Sequence, residues 1–268
     1  MRKLRNFLFF LPTAWVATQS TAAGKFIHIS YINCVATTNF SPAQLESIRQ
    51  LKWYFAHASV GANMMEGLAD LHKADAQNFS LQTTTSASTP PAITQNGILY
   101  ECNRGNPGWK AKLDAFQDSI SNGWRFPKID LAMNKLCYID QFASASYYIN
   151  SMSNLEAACR ETVFVYTTMP LTTSEDGENA LRNAFNNRVR DWCRANGRVL
   201  FDLADIEAHD PSGALCEFKY RGKTCQRLCG VYTTDGGHLN PQGRMLVARG
   251  FYALAGALPS KSVEAASK

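Results

Sequence analysis

Asp235 and His238, in the stretch TTDGGHLNPQGR (233–244), stand three residues apart on a Gly-Gly turn near the C-terminus. A carboxylate that close to an imidazole can hold its tautomer and support its positive charge, which prepares a general base. Such a base needs a nucleophile. In FAHASVGAN (55–63), Ser59 falls where an apolar, strand-like run gives way to a helix-like one. A serine at such a junction exposes its hydroxyl and carries its own N–H at a helix N-terminus, where a developing oxyanion is stabilised. Read alone, Ser59 caps the helix. Read with Asp235 and His238, it completes a set of nucleophile, base and acid.

A second junction, ECNRGNPGWKAKLDAF (101–116), spells N-R-G-N-P-G over 103–108 before a helical stretch. Glycine there allows close backbone approach and presents an N–H. Gly108 is the first choice for an oxyanion donor and Gly105 the competing one. Arg104 and Trp109 flank this turn as possible substrate contacts, and His57 is a third, beside its reading as a structural residue. Trp109 reads equally well as packing. Asp202 and Asp205 in FDLADIEAHD (201–210) read as acceptors for loop backbone, and His28, His72 and His209 as surface or loop residues.

These groups must be positioned by strands and helices in alternation. Strand-like runs fall at 51–58, 97–102, 129–139, 162–168 and 198–203. Amphipathic helical stretches fall at about 60–72, 109–120, 144–159, 179–195 and 240–258, the last opened by Asn240-Pro241 as cap and first turn. Residues 80–96, rich in Thr, Ser and Pro, read as a loop. Strands alternating with helices imply an α/β fold: a three-layer α/β/α sandwich around a parallel sheet of about five strands. Sites in such sheets form at the carboxyl ends of the strands, where Ser59 and Gly108 fall.

Taken together, these pieces resemble the SGNH (GDSL-type) serine hydrolase superfamily. The resemblance rests mainly on D-G-G-H-L-N-P before the last helix and less on N-R-G-N-P-G, and its element order covers nearly the whole chain after residue 23. It implies Ser59 as nucleophile, Asp235 and His238 as acid and base, and the N–H groups of Ser59 and Gly108 as oxyanion hole. Two departures stand out. The family's G-D-S around the nucleophile is H-A-S here, and its G-x-N-D block is unmatched in DLAMNKLCYID (130–140), where Ile139 occupies the Asn position before Asp140. Asn134 is the nearest asparagine and a candidate oxyanion donor; Tyr138 and the backbone at Gly108 are alternatives.

Composition narrows the partners. The 268 residues are 46% hydrophobic, enough for one domain with a real core. Residues 1–23 read as a cleavable signal peptide, with Arg2, Lys3 and Arg5 before a short apolar run and Thr21-Ala22-Ala23 at its end. Residues 24–268 then form a single hydrolase domain, secreted or periplasmic. Without Arg2, Lys3 and Arg5, 27 basic residues become 24 against 22 acidic, a balance that suggests no nucleic-acid partner. No later apolar run is long enough to span a membrane. Eight cysteines in an exported chain favour disulfides, and the crowding of Cys216, Cys225 and Cys229 suggests a stapled loop before Asp235. Cys137 reads as a plain buried thiol. The paired Cys spacing of a zinc site is missing, and the implied chemistry requires no metal or organic cofactor. The implied substrate is a small-molecule or glycan ester, with an acetyl or short-acyl ester on a carbohydrate as the leading reading. A lipid esterase, an acyltransferase, or a non-catalytic glycan-binding module with a decayed site are the alternatives.

Overall fold

The structure is a computed structural model that describes residues 25–38, 40–85, 97–124 and 129–258. The expected signal peptide lies outside these residues, as does most of the 80–96 loop. The strands are β1 (Ile27–Ile29), β2 (Lys52–His57), β3 (Gln82–Thr85), β4 (Ile98–Asn103), β5 (Leu131–Asn134), β6 (Val163–Thr167), β7 (Val199–Phe201) and the hairpin β8 (Glu217–Tyr220) and β9 (Lys223–Gln226). The helices are α1 (Tyr31–Ala36), α2 (Pro42–Gln50), α3 (Val60–Ala74), α4 (Trp109–Asp118), α5 (Ala145–Ala158), α6 (Gly177–Asn196), α7 (Leu203–Ala208) and α8 (Pro241–Ala257).

Seven strands form one parallel sheet in the order β1-β7-β6-β5-β2-β4-β3. The sequence indicates five, and both additional strands sit at the edges. An edge strand needs only partial burial, so QTTT in β3 carries little apolar signal, and IHI in β1 is too short for one. The β8–β9 hairpin also escapes the sequence reading. Its Arg221-Gly222 corner has φ of 48° and 79°, the two left-handed residues of a type I′ turn. The third strand, expected over 129–139, closes at Asn134, and Tyr138–Asp140 form a 3₁₀ turn.

Side-chain alternation along β2 sorts the two faces. Trp53 and Phe55 enter one core with Met64 of α3 and Phe251 of α8, while Tyr54 and Ala56 enter the other with Phe116 of α4 and Tyr148 of α5. The sheet is thus covered on both sides, which explains why its central strands are apolar throughout. Connections leave β2 and β5, neighbours in the sheet, toward opposite edges, so a crevice opens at their carboxyl ends.

The α3–α8 contact aligns the two helix starts that bear the candidate triad. A side chain at Gly67 of α3 would collide with the backbone carbonyl of Arg244 in α8. Arg244 also bonds Asp70 at 2.6 Å and Glu66 at 2.7 Å, both on α3. Ser59 heads α3 and the 233–240 loop heads α8, so clamping these helices brings the two together. As the sequence indicates, Asn240 caps α8, accepting from Gly243 N at 3.0 Å, with Pro241 in the first turn.

Cysteine usage departs from expectation. Cys216–Cys229 is a disulfide, closing the stretch ahead of Asp235, but the other six cysteines are free. Cys34, Cys137 and Cys193 are buried as small apolar side chains.

Candidate active site

Ser59 follows β2 and caps α3 with φ 56° and ψ −118°. A side chain held at such a φ costs on the order of 1–3 kcal/mol, so the surrounding structure imposes it. The first turn of α3 lies directly over His57, and a Cβ on Gly61 would collide with the imidazole. Glycine at 61 therefore lets the strand turn sharply enough to lift Ser59 out of the sheet.

The hydroxyl of Ser59 is 2.7 Å from His238 Nε2. On the other side of the ring, Nδ1 is 2.7 Å from Asp235 Oδ2. Ionised Asp235 accepts a hydrogen bond from Nδ1–H, leaving Nε2 as acceptor for the Ser59 hydroxyl. The other oxygen, Asp235 Oδ1, accepts from Gly237 N at 2.9 Å and His238 N at 2.8 Å. Those two backbone donors, with the His238 ring bond, hold the Asp235 carboxyl well below the usual range. The three-residue spacing has a plain physical use: one turn carries acid and base, and its own N–H groups keep the acid ionised although it is half-exposed.

The turn is fastened at several points. Gly236 N donates to Thr233 Oγ1, Thr173 N donates to Gly236 O, and Leu239 N donates to Asn63 Oδ1. Sequence reasoning misses Asn63, although its place four residues after Ser59 on one helix face is a usable signal.

The expected oxyanion donors divide. Gly108 has φ 96°, is exposed, and caps α4 beyond the end of β4, the strand paired with β2. The N–H of Gly105 is engaged by Asn103 Oδ1 at 3.2 Å, which leaves Gly108 the freer choice. Asn134 ends β5 opposite Ala56, but its side chain is fully buried, with both amide atoms shielded from solvent.

Of the three expected substrate contacts, His57 and Arg104 are engaged by partners inside the protein, and Trp109 is half-buried. His57 is fully buried, with Nε2 2.7 Å from Glu101 Oε2, and burial lowers its pKa despite that carboxylate. Arg104 turns inward, its Nη2 donating to Lys135 O at 2.6 Å. Burial lowers its pKa too. Trp109 packs edge-on against Tyr147, 5.5 Å between centroids, at the border of the core.

Beneath the site lies a charged shelf that the sequence does not announce. Lys112 Nζ, fully buried, is 2.6 Å from Asp140 Oδ2, which also accepts from Cys137 N at 2.7 Å. Lys135 Nζ donates to Leu136 O at 3.0 Å, and burial lowers its pKa to about 8. Cys137 Sγ is 3.5 Å from Ala58 O, one residue before the serine. A groove of about 720 Å³ between α6 and the hairpin contains none of Ser59, Asp235 and His238. Chemistry, not volume, marks the site. Among the described residues no cluster of three His, Cys, Asp or Glu side chains suits a metal ion, and no helix is long and apolar enough to cross a membrane.

No protein-family model matches the chain, and no curated protein does. The chain is similar to solved structures. One is a GDSL-like lipase from Bacteroides thetaiotaomicron, 12% identical, TM-score 0.44, covering 88% of this chain and 95% of that one. Another is a catalytic mutant of an acetylxylan esterase from Geobacillus stearothermophilus, 10% identical, TM-score 0.47, covering 78% and 95%.

Proposed function

We propose that this chain is an exported serine esterase of the SGNH type, with residues 1–23 as its signal peptide and the remainder as one catalytic domain. The observation that carries the reading is the continuous hydrogen-bonded line Ser59–His238–Asp235, headed by a serine in a strained backbone conformation. A decayed binding module has no use for that strain.

In this reading Ser59 Oγ attacks the acyl carbonyl as its proton passes to His238 Nε2, and Asp235 supports the imidazolium. The carbonyl electrons move onto oxygen, which meets the N–H groups of Ser59 and Gly108, each donor contributing roughly 3 kcal/mol. Collapse expels the alcohol, which takes the proton from His238. Water, deprotonated by His238, then releases the acid and restores the serine. The substrate is an ester of a short acyl group, on a carbohydrate or another alcohol met outside the cell.

Hydrolysis of p-nitrophenyl acetate by the folded protein, beside Ser59→Ala, tests the reading. Turnover that disappears with Ser59 is the expected result. Turnover unchanged in Ser59→Ala would remove it.

A further inference from the structure

The turn after β5 carries one side chain that the three-residue site leaves unused. Tyr138 occupies the stretch where the resemblance leads one to expect an asparagine donor. Its ring meets the His238 ring edge-on, 5.4 Å between centroids at 74°. It also lies against the base-bearing loop: a Cβ on Gly237 would stand 3.0 Å from two ring carbons and 3.3 Å from the hydroxyl oxygen. Its hydroxyl lies near enough to that of Ser59 for the serine to bear on the acidity of the phenol. The backbone is pinned from two sides. Tyr138 O accepts from Arg182 Nε at 2.7 Å, and the adjoining Cys137 N is held by Asp140, itself locked to Lys112.

The placement of protons fixes which way that hydroxyl acts. Asp235 holds the Nδ1 proton of His238, so Ser59 donates to Nε2 and has only lone pairs left for Tyr138. In a hydrogen bond between the two hydroxyls the phenol is therefore the donor. Burial and the nearby Asp235 charge raise its pKa, which keeps that proton in place. Asn134, at the end of β5, keeps both amide atoms buried without a hydrogen-bond partner, shielded from the solvent through which a substrate enters.

The geometry points to Tyr138 as a further catalytic residue, whose phenolic O–H donates a hydrogen bond to the oxyanion of the tetrahedral intermediate in place of an asparagine amide. This inference rests on Ser59 as nucleophile. When Oγ bonds the acyl carbon, the former carbonyl oxygen lies two bonds from Oγ. A donor on the ring packed against His238 stands beside that oxygen. The hydroxyl keeps its proton throughout; the Ser59 proton goes to His238 as before.

Tyr138→Phe isolates the hydroxyl, because the ring against His238 and the carbonyl held by Arg182 both remain. The expected result with p-nitrophenyl acetate is a fall in kcat of about 100-fold with KM little changed. Phenylboronic acid, which forms a charged tetrahedral adduct on a serine, should bind more weakly by a similar factor, while the Tm stays at the wild-type value. A kcat within about twofold of wild type, with Ser59→Ala inactive beside it, overturns the role of Tyr138 and leaves the esterase reading standing. A wild-type rate in Ser59→Ala sinks both. Should the phenylalanine variant fold poorly, fluorinated tyrosines at 138 replace it. A kcat that tracks phenol acidity supports the donor, and a flat series overturns it.

Discussion

Two histidine–carboxylate pairs in this molecule look alike and do different things. His238 meets Asp235 at 2.7 Å, and His28 meets Asp202 at 2.9 Å. The first pair joins residues three apart on an exposed turn; the second joins residues 174 apart, with the carboxylate fully buried between β1 and β7. Burial pushes the Asp202 carboxyl up, but Arg190, at 2.7 and 2.8 Å, and His28 more than offset it and hold it well below the usual range. Thr168 and the Asp205 N–H complete its shell. Asp235 reaches the same ionised state through the N–H groups of its own turn. Asp202 is thus a knot that ties distant segments, while Asp235 serves to orient one ring. What separates the pairs is the far side of the imidazole, where only His238 meets a serine.

Substitutions can break that comparison. The largest effect is expected for Asp235→Asn: kcat falls about 10³- to 10⁴-fold because the ring loses its tautomer partner, while the Tm stays near wild type. Thermal melts beside ester kinetics check this, and a large Tm loss would merge the two pairs. Asp202→Ala should do the reverse, destabilising by about 3–5 kcal/mol because Arg190 loses its buried partner, with kcat of the folded protein unaffected.

The pH dependence of stability sharpens the point. The folded pKa of Asp202 lies below its unfolded value. Its stabilisation is therefore complete above about pH 4 to 5 and is lost as pH falls toward the folded value. The Tm of the wild type should drop on that acid side, and a variant without Asp202 should show a shallower drop.

The Cys216–Cys229 bond closes a 13-residue separation ahead of the turn that carries Asp235 and His238. Replacing both with serine should cost about 3 kcal/mol by denaturant melts and increase amide exchange in 228–240. At Ser59 itself the effect on stability is small and of opposite sign. Ser59→Gly should raise stability by about 1 kcal/mol, since glycine tolerates its positive φ, and abolish turnover in the same molecule.

Legibility in the sequence followed locality. The pair on D-G-G-H is visible because acid and base share one turn, and Ser59 because strand and helix periodicities meet there. The Asn240-Pro241 helix start is likewise local chemistry. His28–Asp202 and Lys112–Asp140 escape notice because each joins residues far apart in the chain, and nothing in FDLADIEAHD marks Asp202 as the centre of a buried knot. The edge strands β1 and β3 are missed because edges demand little apolar sequence. Arg104 and His57 look like substrate contacts by proximity in sequence; in the fold they are taken up by Lys135 O and Glu101, partners that the sequence does not announce.

The central claim is that Ser59 is an activated nucleophile, and covalent labelling tests it most directly. The full protein, treated with a fluorophosphonate and digested, should carry a single adduct on the peptide containing Ser59, and His238→Ala should slow that labelling sharply. A folded protein that stays unlabelled, or one modified elsewhere with Ser59 untouched, would contradict the account.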